Sequence, residues 1–107
     1  METKFEVIFC IVNNGYSDVV MDVARQNGAR GGTILHAKGS VKEEAEKFYG
    51  IVITPEKEII MIIVEQEIKE KILHAIYEEA GLASPGQGII FSLPISHVVG
   101  INNIEKN

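Results

Sequence analysis

The sequence has 107 residues, of which 46% are apolar and 23% charged, and this composition is typical of one globular domain over residues 1–107. A formal net charge of −5, with no dense cluster of Lys or Arg, argues against nucleic acid as a partner. The longest apolar run is too short to span a bilayer, no secretory signal is recognisable, and a single cysteine can form no intrachain disulfide, so we expect a cytoplasmic protein.

The first half of the chain predicts a strand, a helix and a second strand. Lys4 to Val12 is rich in β-branched and aromatic residues, and its one cysteine, Cys10, is expected to be a buried and unreactive thiol. Ser17 is a candidate N-cap for an amphipathic helix that ends near Gly28. The apolar positions of this helix recur at a spacing of three and four residues: Tyr16, Val19, Val20, Val23 and Ala24. Gly32 to Lys38 is the second strand.

The second half repeats this order. Ile59 to Val64 predicts a strand with no polar face. An amphipathic helix follows and ends near Gly81, with apolar positions at Ile68, Ile72, Ala75, Ile76 and Ala80. Ile89 to Leu93 predicts the fourth strand.

This order predicts an α+β protein of the ferredoxin-like βαββαβ plan, with an antiparallel four-stranded sheet. In that plan the first and third strands lie in the middle, and these are the two strands that are apolar on both faces. Two helices cover one face of such a sheet, so the other face needs a different cover. Further copies of the same chain would supply it, and we therefore expect a homo-oligomer that packs sheet to sheet.

The connection between the second and third strands is unusually long. It runs from Gly39 to Glu58, whereas a hairpin normally needs two to five residues. Ser40 to Glu43 has the form of a capping box, and Glu43 to Tyr49 could form a helical turn. A solvated charged loop is the alternative, but the excess length favours a functional segment.

Three motifs together resemble the PII signal-transduction proteins and their PII-like relatives. They are "ARGGTILHAKG" before the long loop, "IIMIIV" before the second helix and "PGQGIIFSLPISHVVGI" near the end, and the resemblance covers roughly Phe5 to Ile101. It implies a ferredoxin-like homotrimer that binds adenine nucleotides in clefts between subunits. It also implies a protruding loop, here within residues 39–58, through which a membrane transporter or metabolic enzyme is regulated.

The resemblance implies the following ligand-binding residues. The positions that approach the adenine are Gly31, Gly32 and Thr33, those at the root of the protruding loop are Lys38 and Gly39, and those of the phosphate loop within residues 82–88 are Gly86, Gln87 and Gly88. Glycines suit a phosphate loop because backbone N–H groups without a neighbouring Cβ can approach an anion closely. A Pro-Gly-x-Gly sequence alone is common in turns that only connect two elements. The assignment of a phosphate loop therefore depends on the combination of the three motifs.

The chain departs from the family at three phosphate-binding cations. Ile89 stands in place of a lysine, and Gly100 and Asn102 stand in place of two arginines. No cofactor is required, and the candidate effectors are AMP, ADP, ATP or a cyclic nucleotide. Because each charge-assisted hydrogen bond contributes on the order of 1.5–3 kcal/mol, the missing cations favour a ligand with less phosphate charge than ATP.

The protruding loop also differs from the family pattern. Val41 and Glu43 replace the glycine and glutamine that the family associates with 2-oxoglutarate and magnesium. An acidic side chain disfavours a dicarboxylate through like-charge repulsion, so 2-oxoglutarate sensing is not expected to follow the family pattern. Tyr49 lies within the loop, but nothing assigns it to the family's modified tyrosine.

Three other functions are alternatives to a PII-like regulator. No constellation of nucleophile, base and orienting group supports an enzyme such as a phosphohydrolase. A divalent-metal-binding trimer would need clustered ligands, but His36, His74 and His97 have no ligand spacing, so no metal site is predicted. A scaffold that binds its partner without any ligand is the third alternative.

Overall fold

The computed structural model describes residues 3–39, 47–48, 51–52, 56–82 and 88–101. In chain order the elements are β1 (Phe5–Asn13), α1 (Ser17–Gln26), β2 (Thr33–Lys38), β3 (Lys47–Phe48), β4 (Ile51–Val52), β5 (Glu56–Glu65), α2 (Gln66–Glu79) and β6 (Gly88–Pro94). The four long strands form one antiparallel sheet in the order β2-β5-β1-β6. The predicted ferredoxin-like plan is confirmed, including the central position of its first and third long strands.

The core lies between one face of this sheet and the two helices. Alternate residues of β1 and β5 are buried there, among them Ile8, Val12, Ile60 and Ile62. Cys10 belongs to the same set and is fully buried, and burial raises the pKa of its thiol to about 12. The expectation of a buried, unreactive cysteine is thus confirmed.

The helices bury the faces that the apolar spacing predicts, with one exception. Helix α1 contributes Val20, Val23 and Ala24 to the core, and α2 contributes chiefly Ile72 and Ile76. Tyr16 and Val19 were expected on the buried side of α1, but the structure leaves them 46% and 43% exposed. The buried stripe of a ten-residue helix is narrower than its apolar sequence pattern. Neither helix in the described ranges has the length and apolar content to cross a bilayer.

The middle of the helix-free face of the sheet is apolar across β5, β1 and β6. In register, Phe9 of β1 lies between Met61 of β5 and Phe91 of β6, and the rings of Phe9 and Phe91 stack with centroids 5.3 Å apart. The neighbouring rows add Val7 with Ile63 and Leu93, and Ile11 with Ile59 and Ile89. Ile89 is 58% exposed and Leu93 50% exposed in the single chain. We call this set of apolar side chains the open sheet face.

Part of the long connection is extended. Lys47 and Phe48 pair antiparallel with Val52 and Ile51, so the helical turn predicted over Glu43 to Tyr49 is wrong for Lys47 and Phe48. Phe, Ile and Val favour a pleated strand, and pairing with a partner strand outweighs a weak local helix signal. The rest of that predicted turn and the capping box at Ser40 to Glu43 lie outside the described residues.

A glutamate that is distant in sequence, and not Ser17, accepts hydrogen bonds from backbone N–H groups at the start of α1. No side chain caps the helix locally, and the carboxylate Oε1 of Glu58 on β5 accepts hydrogen bonds from the backbone N–H of Gly15 (3.1 Å) and Ser17 (3.0 Å). Burial by itself would raise the pKa of Glu58, but hydrogen bonds from Ser17 and Gly15 and the nearby His36 hold that pKa below its ordinary value of 4.5. The N-cap prediction for Ser17 is therefore wrong, because a tertiary contact supplies the acceptor.

Replacing Glu58 with glutamine should lower the free energy of unfolding by about 1 kcal/mol at neutral pH, since the charged acceptor at the helix terminus is lost. The pKa of Glu58 is lower in the folded chain than the unfolded value of 4.5, so its contribution is present above that pH. It disappears as the pH falls through the folded-state pKa. Urea unfolding of wild type and variant should therefore differ at neutral pH and converge in acid.

Glu56→Gln is the matched control, because Glu56 lies two residues earlier on the same strand and is exposed. We expect this variant to unfold at the wild-type urea concentration. Equal unfolding midpoints for the two variants at neutral pH would contradict the capping role of Glu58.

Candidate functional site

A pocket of about 640 Å³ opens between the connection from α1 to β2, the paired ends of β1 and β5, the start of α2 and the segment that follows β6. Its backbone wall is the segment from Gly28 to Thr33, which connects α1 to β2. The facing side chains come mainly from β5 and include Met61, Ile63 and Glu65. The pocket therefore lies beside one end of the open sheet face.

Glycines shape the backbone wall. Gly28 has a φ of +113°, a left-handed conformation that ends α1, and its N–H donates to the Arg25 carbonyl oxygen at 3.2 Å. At Gly32 a Cβ atom would lie 2.8 Å from the carbonyl oxygen of Met61, so the segment comes too close to β5 for any side chain. At Gly31 a Cβ atom would meet nothing within 4 Å.

A buried polar cluster holds the start of α2 next to the pocket. The Glu6 carboxylate on β1 accepts a hydrogen bond from Gln66 Nε2 at 3.1 Å and lies 3.4 Å from Lys69 Nζ. The hydrogen bond from Gln66 is the main cause that lowers the pKa of Glu6, and Lys69 acts in the same direction. This cluster fixes the direction in which the chain leaves β5 at Glu65.

The structure brings together only some of the residues that the resemblance implies. Gly31, Gly32 and Thr33 all line the pocket. Lys38 and Gly39 lie at the far end of β2, and Gly88 begins β6 on the other edge of the sheet. Gly86 and Gln87 lie outside the described residues.

Gly88 and the pocket cannot face one another within a chain. Thr33 pairs with Met61 at the level of Phe9, whereas Gly88 pairs with Val12 across the other central strand. Three strand spacings of about 4.8 Å and three residues of about 3.4 Å separate Thr33 from Gly88 by roughly 18 Å. A polar ligand would have to lie across the apolar sheet to touch both, so a site that used both would need a second chain.

Phe5 and Glu65 belong to the pocket although no sequence motif identifies them. They pair in register at the ends of β1 and β5, and both line the pocket. Their side chains alternate with the buried positions of their strands, so they lie on the same face as Ile63. Strand periodicity would have identified the shared face, but only the register shows that they are neighbours. Arg30, which the sequence also did not predict as a site residue, adds a positive charge to the rim.

The histidines lie on separate elements. His36 is on β2 with its Nδ1 4.0 Å from Glu58 Oε2, His74 is on α2 with its Nε2 4.0 Å from Glu70 Oε1, and His97 follows β6. Within residues 3–39, 56–82 and 88–101, no group of three or more His, Cys, Asp or Glu side chains could hold a metal ion.

Two comparisons, one with protein-family models and one with solved structures, identify the same protein family. The family model described as nitrogen regulatory protein P-II matches residues 5–105. Among solved structures, a crystal structure of Arabidopsis thaliana PII bound to citrate is similar, with a TM-score of 0.66 and 25% sequence identity. The match covers 94% of this chain and 85% of that chain. The chain therefore belongs to the P-II family of nitrogen regulatory proteins, which are signalling regulators that bind small-molecule effectors and partner proteins, and are not enzymes.

Proposed function

We propose that the protein is a cytoplasmic homotrimeric regulator that binds an adenine nucleotide in the clefts between its subunits. One chain would contribute the Gly31–Thr33 wall of the pocket, and its neighbour would contribute the loop that ends at Gly88. The bound nucleotide would bias the arrangement of residues 39–50, which a membrane transporter or a metabolic enzyme would recognise.

The observation that carries this proposal is the position of the pocket relative to the open sheet face. The pocket lies at the end of that face, next to Ile63, which is 42% exposed in the single chain. Covering so large an apolar area with sister chains would bring a second chain against the mouth of the pocket. The separation of Gly88 from the pocket within one chain supports the same arrangement.

The pocket suits the base and sugar of a nucleotide. A volume of about 640 Å³ lies within the range of ordinary small-ligand sites, and its walls are mainly apolar. Because Gly32 approaches β5 closely, one wall of the pocket consists of backbone at this point and has no side chain there. Such a wall suits the flat surface of a base. Phe5 offers an aromatic ring for stacking.

The link from ligand to partner would run along paired strands. Strand β2 pairs with β5 from Thr33–Met61 at the pocket to Lys38–Glu56 at the root of the long connection. A ligand can shift that connection only if it binds one arrangement more tightly than another. In the neighbouring chain that supplies Gly88, Lys38 and Gly39 lie at the same end of the sheet as Gly88, and their contacts with the nucleotide would provide this difference.

Isothermal titration calorimetry with AMP, ADP, ATP, cyclic AMP, adenosine and citrate tests the proposal. Citrate is included because the similar plant PII structure contains it. We expect wild type to bind at least one adenine compound at one site per chain. A variant that cannot form trimers, such as Phe91→Asp, should bind that compound at least about tenfold more weakly, because half of each site is then missing.

Two results would overturn the proposal. Wild type that binds none of the adenine compounds would support the ligand-independent scaffold instead. A folded monomeric variant that binds the compound with wild-type affinity would show that one chain contains the whole site.

A further inference from the structure

The charged groups of the pocket are few and opposite in sign. Among the described lining residues only Arg30 and Glu65 carry charge, and the other side chains are apolar apart from Thr33. Gly100, which stands in place of a family arginine, itself lines the pocket. The pocket therefore has no excess positive charge with which to neutralise a polyphosphate.

Glu65 is placed to contact whatever occupies the pocket. It is half-buried at the end of β5, and its carboxylate forms no hydrogen bond or ion pair with another described residue. A half-buried carboxylate without a partner favours ligand groups that donate hydrogen bonds and disfavours anions. Its neighbour in register is Phe5, whose ring is also half-buried in the pocket wall.

We propose that Glu65 determines the specificity of this pocket by accepting hydrogen bonds from a nucleoside that stacks on Phe5 and by repelling a polyphosphate. This inference rests on the proposed nucleotide-binding function and refines it. The ligand class is a nucleoside or nucleoside monophosphate: a planar base, hydroxyl and amino donors, and little negative charge. The same carboxylate would weaken the binding of triphosphates and dicarboxylates.

Calorimetric titration of AMP and ATP into trimeric wild type and Glu65→Gln tests the inference. Wild type should bind AMP about tenfold more tightly than ATP, and Glu65→Gln should remove most of that preference. The amide weakens the hydrogen bonds to AMP and no longer repels ATP. Glu65→Asp keeps the charge and should keep the discrimination against ATP.

Glu67→Gln is the control for the overall change in charge, because Glu67 is exposed on α2 and does not line the pocket. It should leave the ratio of the two affinities unchanged. Tighter binding of ATP than AMP to wild type would overturn the role of Glu65 while leaving the nucleotide-binding function intact, as would an unchanged ratio in Glu65→Gln. Wild type that binds neither compound would overturn the inference together with the proposed function.

Discussion

Replacing Phe91 with aspartate should convert the proposed trimer into separate chains at micromolar concentration. Phe91 stacks on Phe9 within the open sheet face and is 40% exposed in the single chain. In a trimer packed through that face the new carboxylate would be buried without a partner, which costs several kcal/mol for each site. Sedimentation velocity should show the mass of one chain for the variant and of three for wild type.

Tyr77→Asp is the matched control, because Tyr77 is an aromatic residue of similar exposure, 47%, on α2 in the opposite layer. This variant should sediment as wild type does. Far-UV circular dichroism should show that both variants remain folded. A wild type that sediments as one chain, or a folded Phe91→Asp that still sediments as a trimer, would contradict assembly through the open sheet face.

Replacing Gly32 with alanine should lower the free energy of unfolding by about 2 kcal/mol, since a Cβ atom there overfills a packed contact. The new methyl group would lie 2.8 Å from the Met61 carbonyl oxygen and 3.0 Å from the Met21 sulfur. The carbonyl belongs to the central strand and cannot move freely, so β2 would have to shift away from β5. The pocket wall would shift with it, and nucleotide affinity should fall together with the urea midpoint.

The neighbouring substitution Gly31→Ala separates packing from a general effect of losing a glycine. A Cβ atom at Gly31 meets no atom within 4 Å, and no positive φ restricts that position. This variant should unfold at the wild-type urea concentration. Equal destabilisation by the two substitutions would contradict the close approach of Gly32 to β5.

The layout of the fold could be predicted because each element has its own periodic signal. The runs around Ile8 and Ile60 are apolar at every position, and both strands became the central pair of the sheet. The spacing of Ile72 and Ile76 correctly identified the buried face of α2. Burial of a periodic face is a local consequence of composition, so sequence alone indicates it.

The candidate site was predicted only in part. Its glycine wall at Gly31 and Gly32 follows from the family motif, and both residues line the pocket. Phe5 and Glu65 carry no motif, because their importance comes from being paired across β1 and β5. The two residues are far apart in the chain, and a local sequence pattern does not predict which positions of two strands pair with one another.

Local sequence patterns are enough to predict the number and type of the main elements, the central strands and the need to cover a second apolar face. Three features emerge only when the chain is folded: Glu58 takes the place of a local cap, Glu65 lies beside Phe5, and Gly88 is remote from the pocket in its own chain. Hydrophobic periodicity is a local signal, because it depends on a few neighbouring residues. Hydrogen bonds and charge contacts across the sheet instead depend on strand register, which is set only when the whole core packs.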